Sequence, residues 1–327
     1  MFTMVLDHFI LQHRLSSGST VVELFVAAHP ELTDQEREML LGWREVVEGV
    51  FEVAGRDAQA LILLNLFDEL TYRTRSNLSG HAFYSITAGM FLICRLIRTG
   101  EDWMVSGGVS AFPAEARDSL LVSAAKQAMS SPEQVFRNPE KLAVARRLLA
   151  EQHAQFLELH GTDLLVVAGS QISETIEEFF GHLARKARQE AVSHVPIDLP
   201  EEWLDAESVA IHFNKDEGLA FYLNFKWIEE LFANPALVVR RPYREALSGH
   251  LRDEEISPEP LRRLADRDPS NAGQVFARLL KRRGFTWEKD GEALLRTYKA
   301  SYFDGSRLPR TVPLSRTLSD ALERDRR

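Results

Sequence analysis

The chain has a single cysteine, Cys94, among 327 residues. One thiol excludes an intramolecular disulfide and any cysteine-cluster zinc site, and it suits a reducing compartment. Its neighbours Leu92, Ile93 and Leu96 make Cys94 a small buried hydrophobe rather than a nucleophile. Long apolar runs are also missing. The longest are broken by Asn65 or Arg95 and fall far short of the roughly 20 residues that span a bilayer. The first residues, Met1-Phe2-Thr3-Met4-Val5-Leu6-Asp7-His8, show no basic segment, no long apolar stretch and no small-residue cleavage site. A soluble, cytoplasmic protein with no membrane partner is therefore expected. There is no glycine-rich phosphate loop, no Gly-x-Ser-x-Gly elbow and no dinucleotide fingerprint, so no cofactor and no metal are expected, and no catalytic motif stands out.

What is present is a core of two or three domains' worth of material. Hydrophobic residues make up 45% and charged residues 27%, a balance that argues against disorder. The net charge of −9 is uneven: residues 240–327 hold 20 Lys and Arg against 14 Asp and Glu, out of 39 and 48 in the whole chain. A basic end on an acidic protein marks either a surface for an acidic partner or domains whose charges answer each other.

The texture changes between Val46 and Phe112. Val50-Phe51-Glu52-Val53, the run from Ala60 to Phe67, Thr71 to Thr74, Met90 to Ile97 and Trp103 to Ser106 are short apolar or alternating stretches. Turn residues separate them: Ala54-Gly55-Arg56-Asp57, Asp68-Glu69, Asn77-Leu78-Ser79-Gly80 and Thr99-Gly100-Glu101-Asp102. Five such strands predict a small antiparallel barrel-like unit, with Ala60 to Phe67 central and Gly107-Gly108 a bulge or a point of close backbone approach. Around it the pattern is helical. Thr20 is a helix cap, Thr33-Asp34-Gln35-Glu36 a capping box, and Pro139 a first helical residue after Asn138. Leu164 to Val167 and the hairpin Ser208 to Leu223, turning at Asn214-Lys215-Asp216-Glu217-Gly218, predict a second small sheet. Two helices are expected after Ser257-Pro258 and from Ser270 to Arg283, and an extended tail from Arg307. The predicted fold is α+β and mostly helical: N-terminal helices over 1–45, the β unit over 46–112, a mixed region over 113–239, and a basic helical region over 240–327.

Candidate sites are few. His160 and Asp163, just past a helix end, are the residues a hydrolase or metal-dependent enzyme would use, although His153 and His160 lack the four-residue spacing of a two-histidine clamp. Glu174, Glu178 and His182 align on one helix face but lack the second copy that di-metal bundles require. Asp68, Glu69, Tyr72 and Arg73 form the densest polar set in the β unit, placed to ring a binding groove. Arg240, Arg241, Arg244, Lys281, Arg282 and Arg283 are phosphate-contacting candidates if they converge, with Tyr243 and Phe285 near enough to stack on a base.

A Trp43-bearing helix, the strand Phe51-Glu52-Val53, then Leu64 to Leu70, Arg95-Leu96-Ile97 and Trp103 to Gly107 follow one another in an order similar to a set of uncharacterised bacterial proteins. These combine a small β module with flanking helices and are related to proteins with a secretion-chaperone-type zinc tail, which this chain lacks. The resemblance covers mainly Thr33 to Phe112. It implies a bacterial cytoplasmic protein and brings no catalytic residues. The expected function is non-enzymatic binding or regulation with a protein partner. Hydrolysis through His160 and Asp163, or nucleic-acid binding through the basic end, are the alternatives.

Overall fold

A computed structural model describes residues 2–57, 60–76, 83–186, 199–305 and 307–325. The chain forms two compact units, residues 1–144 with 312–327, and residues 145–311.

In the first unit three helices, α1 (Phe2–Leu11), α2 (Val21–Ala28) and α3 (Asp34–Gly42), precede the strands. Thr20 and Thr33 each close a capping box, with Glu23 and Glu36 reaching back to the cap amide. The strands are β1 (Val46–Asp57), β2 (Ala60–Asn65), β3 (Thr71–Arg75), β4 (Phe91–Thr99) and β5 (Asp102–Phe112). They pair in the order β1-β2-β3-β5-β4, and β4 returns to β1, so the sheet closes on itself. Four seams are antiparallel. The seam between β3 and β5 is parallel and short, joining Thr74 to Trp103 and Arg75 to Met104. Val47, Phe51, Val53, Leu61, Leu63, Leu92, Cys94 and Leu96 fill the interior, and burial pushes the Cys94 thiol up to about 12.

One expected turn is not a turn. Ala54 to Asp57 continues β1, with a register shift between Val53 and Gly55; the glycine serves a bulge within the strand. The expected loop Asn77-Leu78-Ser79-Gly80 lies outside the described residues. Gly107-Gly108 is the expected irregularity: the β4–β5 register shifts there, and Gly107 has a φ of +70°. That backbone conformation is what favours glycine here; a Cβ would meet the Asp7 Cβ of α1 only at an ordinary contact distance of 3.5 Å. Helices α4 (Arg117–Ser130), α5 (Pro132–Val135) and the start of α6 (Pro139–His160) follow. The tail, expected to be extended with at most a short terminal helix, ends in a helix (Arg316–Asp325). Its Leu318, Ala321 and Leu322 are buried, and Lys126 of α4 reaches Asp325 at 2.9 Å.

The break between the units falls within α6. In the second unit β6 (Leu164–Val167), α7 (Ile172–Lys186), α8 (Glu201–Leu204), β7 (Val209–Asn214) and β8 (Gly218–Leu223) lead into α9 (Phe225–Ala233), α10 (Arg241–Arg252), α11 (Glu259–Arg267), α12 (Pro269–Leu279), α13 (Trp287–Tyr298) and α14 (Ala300–Asp304). The three strands form one antiparallel sheet in the order β6-β7-β8, as the hydrophobic runs predict. Strand β7 is central and buried on both faces. Val209, Ile211 and Phe213 pack against Leu149 and Phe156 of α6 and against Ile172, Ile176 and Phe179 of α7. Ala210 faces the opposite way, with Ala220 and Tyr222 of β8, into a core built from α9 to α13. Among the described residues no helix is long and apolar enough to cross a membrane.

Candidate functional site

Helix α10 was not anticipated from the sequence, and it forms one wall of a large cleft. Its signal is Leu247, His250 and Leu251, which are buried at helical spacing after Pro242 at the first turn. The facing wall is β8, an edge strand. Between them lies a cleft of about 960 Å³ whose lining includes Trp203, Phe221, Trp227, Glu245, Gly249 and Glu255, a volume within the range of ligand sites.

The backbone of β8 decides what this cleft can do. Phe213 donates to the Asp163 carbonyl and Asn224 to the Ser208 carbonyl. By antiparallel alternation, Ala220 and Tyr222 then exchange hydrogen bonds with β7, while Leu219, Phe221 and Leu223 turn their N–H and C=O groups to the open edge. At one end of the edge, His250 Nε2 lies 2.8 Å from the Leu223 carbonyl. At the other, Arg310 donates its backbone N–H to the Glu217 carbonyl at 2.8 Å. The amide and carbonyl of Phe221 lie between these two anchors.

The walls are fixed by buried contacts. His250 is stacked on Tyr222 with ring centroids 5.6 Å apart, and burial lowers its imidazole to about 4. The loop after α10 is tied by Lys299, which is almost fully buried and donates to the carbonyls of Asp253 and Ile256; burial lowers its ammonium to about 8. The segment carrying Trp203 presses on Gly169, where a Cβ would come within 2.4 Å of the Trp203 carbonyl. Trp203 lies 5.0 Å from Phe221, and the Trp227 indole donates to Glu207 at 2.6 Å. Gly249 faces the cleft from α10, and a Cβ there would meet nothing within 4 Å.

The residues singled out in the sequence fall into three places. Asp68 and Tyr72 do come together: the Tyr72 hydroxyl donates to Asp68 at 2.5 Å, the Leu70 amide at 2.8 Å and the Asn65 amide at 3.3 Å. Burial raises the Asp68 carboxyl. Asn138 at the start of α6 donates to the Asp68 carbonyl at 2.8 Å. This network holds the β2–β3 turn, in which Glu69 takes a φ of +60° and pairs with Lys141 at 3.1 Å. Beside it is a hollow of about 410 Å³ lined by Glu45, Leu70, Thr71, Tyr72, Trp103 and Arg137. Arg73 points elsewhere, to Asp57 and Asp102.

His160 and Asp163 face different groups. The His160 ring packs on Phe156 at 4.6 Å; burial lowers its imidazole, and its charged neighbours are Glu178 and His182. Asp163 is held by Arg263 at 2.7 Å, which keeps its carboxyl low, and the His212 imidazole acts on it in the same direction. His212 is buried in β7, its Nδ1 has no hydrogen-bond partner, and burial lowers it to about 4. Among the described residues no cluster of three or more His, Cys, Asp or Glu is placed to hold a metal ion.

Much of the basic end is spent locally. Arg241 pairs with Glu245, Arg282 with Asp290, Arg262 with Glu292, and Arg263 with Asp163 and Glu259. Most partners are near neighbours in the basic end itself, while Arg263, Arg310 and Arg324 reach acids of the preceding 239 residues, Asp163, Glu217 and Asp118. Arg240, Arg244, Lys281 and Arg283 are exposed without an ion pair among the described residues.

Residues 2–142 match a family of unknown function (DUF7986). That stretch is less than half of the chain and falls within the first unit. No curated protein and no solved structure matches.

Proposed function

We propose that this is a non-enzymatic binding protein whose second unit takes an extended segment of a partner protein as an added strand beside β8. One observation carries the reading: the open edge of β8 lies inside this cleft, facing a helix, with the backbone groups of Phe221 turned to the open side. An edge strand is a ready template for another chain, and natural proteins usually blunt it with charge, proline or a covering element. Here the exposed part of the edge is flanked by half-buried aromatic side chains instead. A strand beside a helix is the geometry by which strand-adding domains read peptides, the backbone giving affinity and alternate side chains giving specificity. Hydrolysis gains nothing from this arrangement, because His160 and Asp163 face different groups and neither lines the cleft.

Panning a displayed library of random dodecapeptides on the full chain tests the proposal, with Gly249→Trp as the counterpart. A Cβ at Gly249 has open space around it, so the added indole is expected to project into the groove; its helix propensity is no worse than that of glycine. Selected peptides are expected to alternate in polarity and to bind Gly249→Trp at least tenfold more weakly. Enriched peptides that bind both proteins equally overturn the proposal, as does a failure to enrich any.

A further inference from the structure

The chemistry of the cleft walls narrows what the added strand carries, an inference that rests on the strand-addition reading. Four aromatic rings line the cleft: Trp203, Phe221, Tyr222 and Trp227. Four carboxylates share the lining, Glu202, Glu245, Asp253 and Glu255, against two guanidinium groups, Arg241 and Arg310. Both cations are already engaged. Arg241 is 2.8 Å from Glu245, and Arg310 bonds to the Glu255 carbonyl at 2.7 Å and lies 3.6 Å from Glu217. Asp253 sits beside the buried ammonium of Lys299. Glu202 and Glu255 are exposed, with no ion pair of their own among the described residues. A further carboxylate, Glu207, is fixed against the Trp227 indole by its N–H donor.

Aromatic faces next to unneutralised carboxylates attract a cation twice over. The ring quadrupoles draw it to their faces, and the carboxylates supply the long-range field. An anionic side chain meets the reverse: rings that repel it and arginines already paired. We infer that the strand taken up beside β8 bears a lysine or arginine whose charged head lies against the Trp203, Phe221 and Trp227 rings, within the field of Glu202 and Glu255.

Three synthetic peptides test this on the full chain. They share one alternating valine–threonine sequence and carry lysine, norleucine or glutamate at the centre. Binding is followed by calorimetry and by tryptophan emission, with Trp203→Phe and Trp227→Phe assigning the emission change. The lysine peptide is expected to bind at least tenfold more tightly than the norleucine peptide, and the glutamate peptide most weakly. In Glu202→Gln/Glu255→Gln the lysine preference is expected to shrink to within about threefold, while norleucine binding stays as it was. Equal binding of all three peptides overturns the charge inference and leaves strand addition standing. Tighter binding of the glutamate peptide also overturns it. If none of the three binds, the inference falls together with the reading beneath it.

Discussion

Lowering the pH from 6.5 to 4 is expected to withdraw about 5 kcal/mol of stability from the second unit, shared equally between two imidazoles, since each tenfold change in proton affinity is worth about 1.4 kcal/mol. The groups are His212 and His250, both buried and both lowered to about 4, chiefly by burial. In the unfolded chain each takes a proton near 6.5. Over this window the unfolded state binds protons that the native state refuses, so stability is complete above pH 6.5 and falls as the pH drops toward 4. Arg263 adds to the depression at His212, while Asp163 and Glu259 oppose it. At His250 the Leu223 carbonyl and Asp253 oppose the burial, and Lys299 adds to it. The double variant His212→Asn/His250→Gln cannot charge in this range, and its denaturant midpoint is expected to stay nearly flat between pH 6.5 and 4. A wild-type midpoint equally flat, or a variant that keeps the full slope, contradicts the assignment.

Arg95→Ala is expected to cost the first unit about 3–5 kcal/mol, the penalty for leaving a buried partner charge uncompensated. Arg95 interrupts the apolar strand β4 and is nearly fully buried. Its Nε lies 2.8 Å from Asp7 of α1 and its Nη1 3.5 Å from Glu48, and Nη2 donates to Gln12. Ser106 donates its hydroxyl to Asp7 as well. Helix α1 is thus held to the sheet by Asp7 together with Leu11, which packs with Val46 and Ile97, while Val5, Leu6, Phe9 and Ile10 remain exposed. Removing the guanidinium leaves the Asp7 carboxylate with the Ser106 hydroxyl alone. The amides of α1 are expected to lose exchange protection before the strands do. The double variant Asp7→Ala/Arg95→Met is expected to be less destabilised than the sum of the two single changes, because neither charge is stranded. A loss under about 1 kcal/mol in Arg95→Ala, below the range for breaking a buried pair, contradicts this account of how α1 is held.

These two networks show which parts of the structure were legible in the sequence. Arg95 and Asn65 stood out as the polar breaks in otherwise apolar strands, but nothing in the sequence named their partners. Asp7 lies 88 positions before Arg95, and only closure of the sheet brings them together. Asn65 donates to Asp68 and accepts from the Phe67 amide, and Gly49 leaves it room, since a Cβ there would come within 2.6 Å of its side-chain oxygen. The Thr20 cap, the Thr33–Glu36 capping box, the turn glycines Gly100 and Gly218, and the bulge at Gly107 were readable because each is fixed by local backbone geometry. The turn assigned to Ala54-Gly55-Arg56-Asp57 failed for the converse reason: a glycine beside a charged pair serves a strand bulge as well as a turn.

The candidate site was the least readable part. Its floor is an edge, and which strand of a sheet is the edge is a property of topology rather than of any residue. Its wall, α10, begins in a run of arginines that drew attention as a phosphate surface, whereas the apolar stripe of Leu247, His250 and Leu251 carries the structural information. His212 went unnoticed because a lone histidine in an apolar strand has no spacing partner; Asp163, its acidic neighbour, lies just before β6 and is brought near only by the sheet register, which pairs Leu164 with His212.

Backbone amide exchange at β8 tests the central claim most directly. With a peptide selected by panning bound to the full chain, the Phe221 amide is expected to gain at least tenfold protection, because it becomes the donor to the added strand. The Ala220 and Tyr222 amides already bond to β7 and are expected to change little. Binding that leaves the Phe221 amide exchanging as in the free protein, or that protects amides of α10 alone, contradicts strand addition.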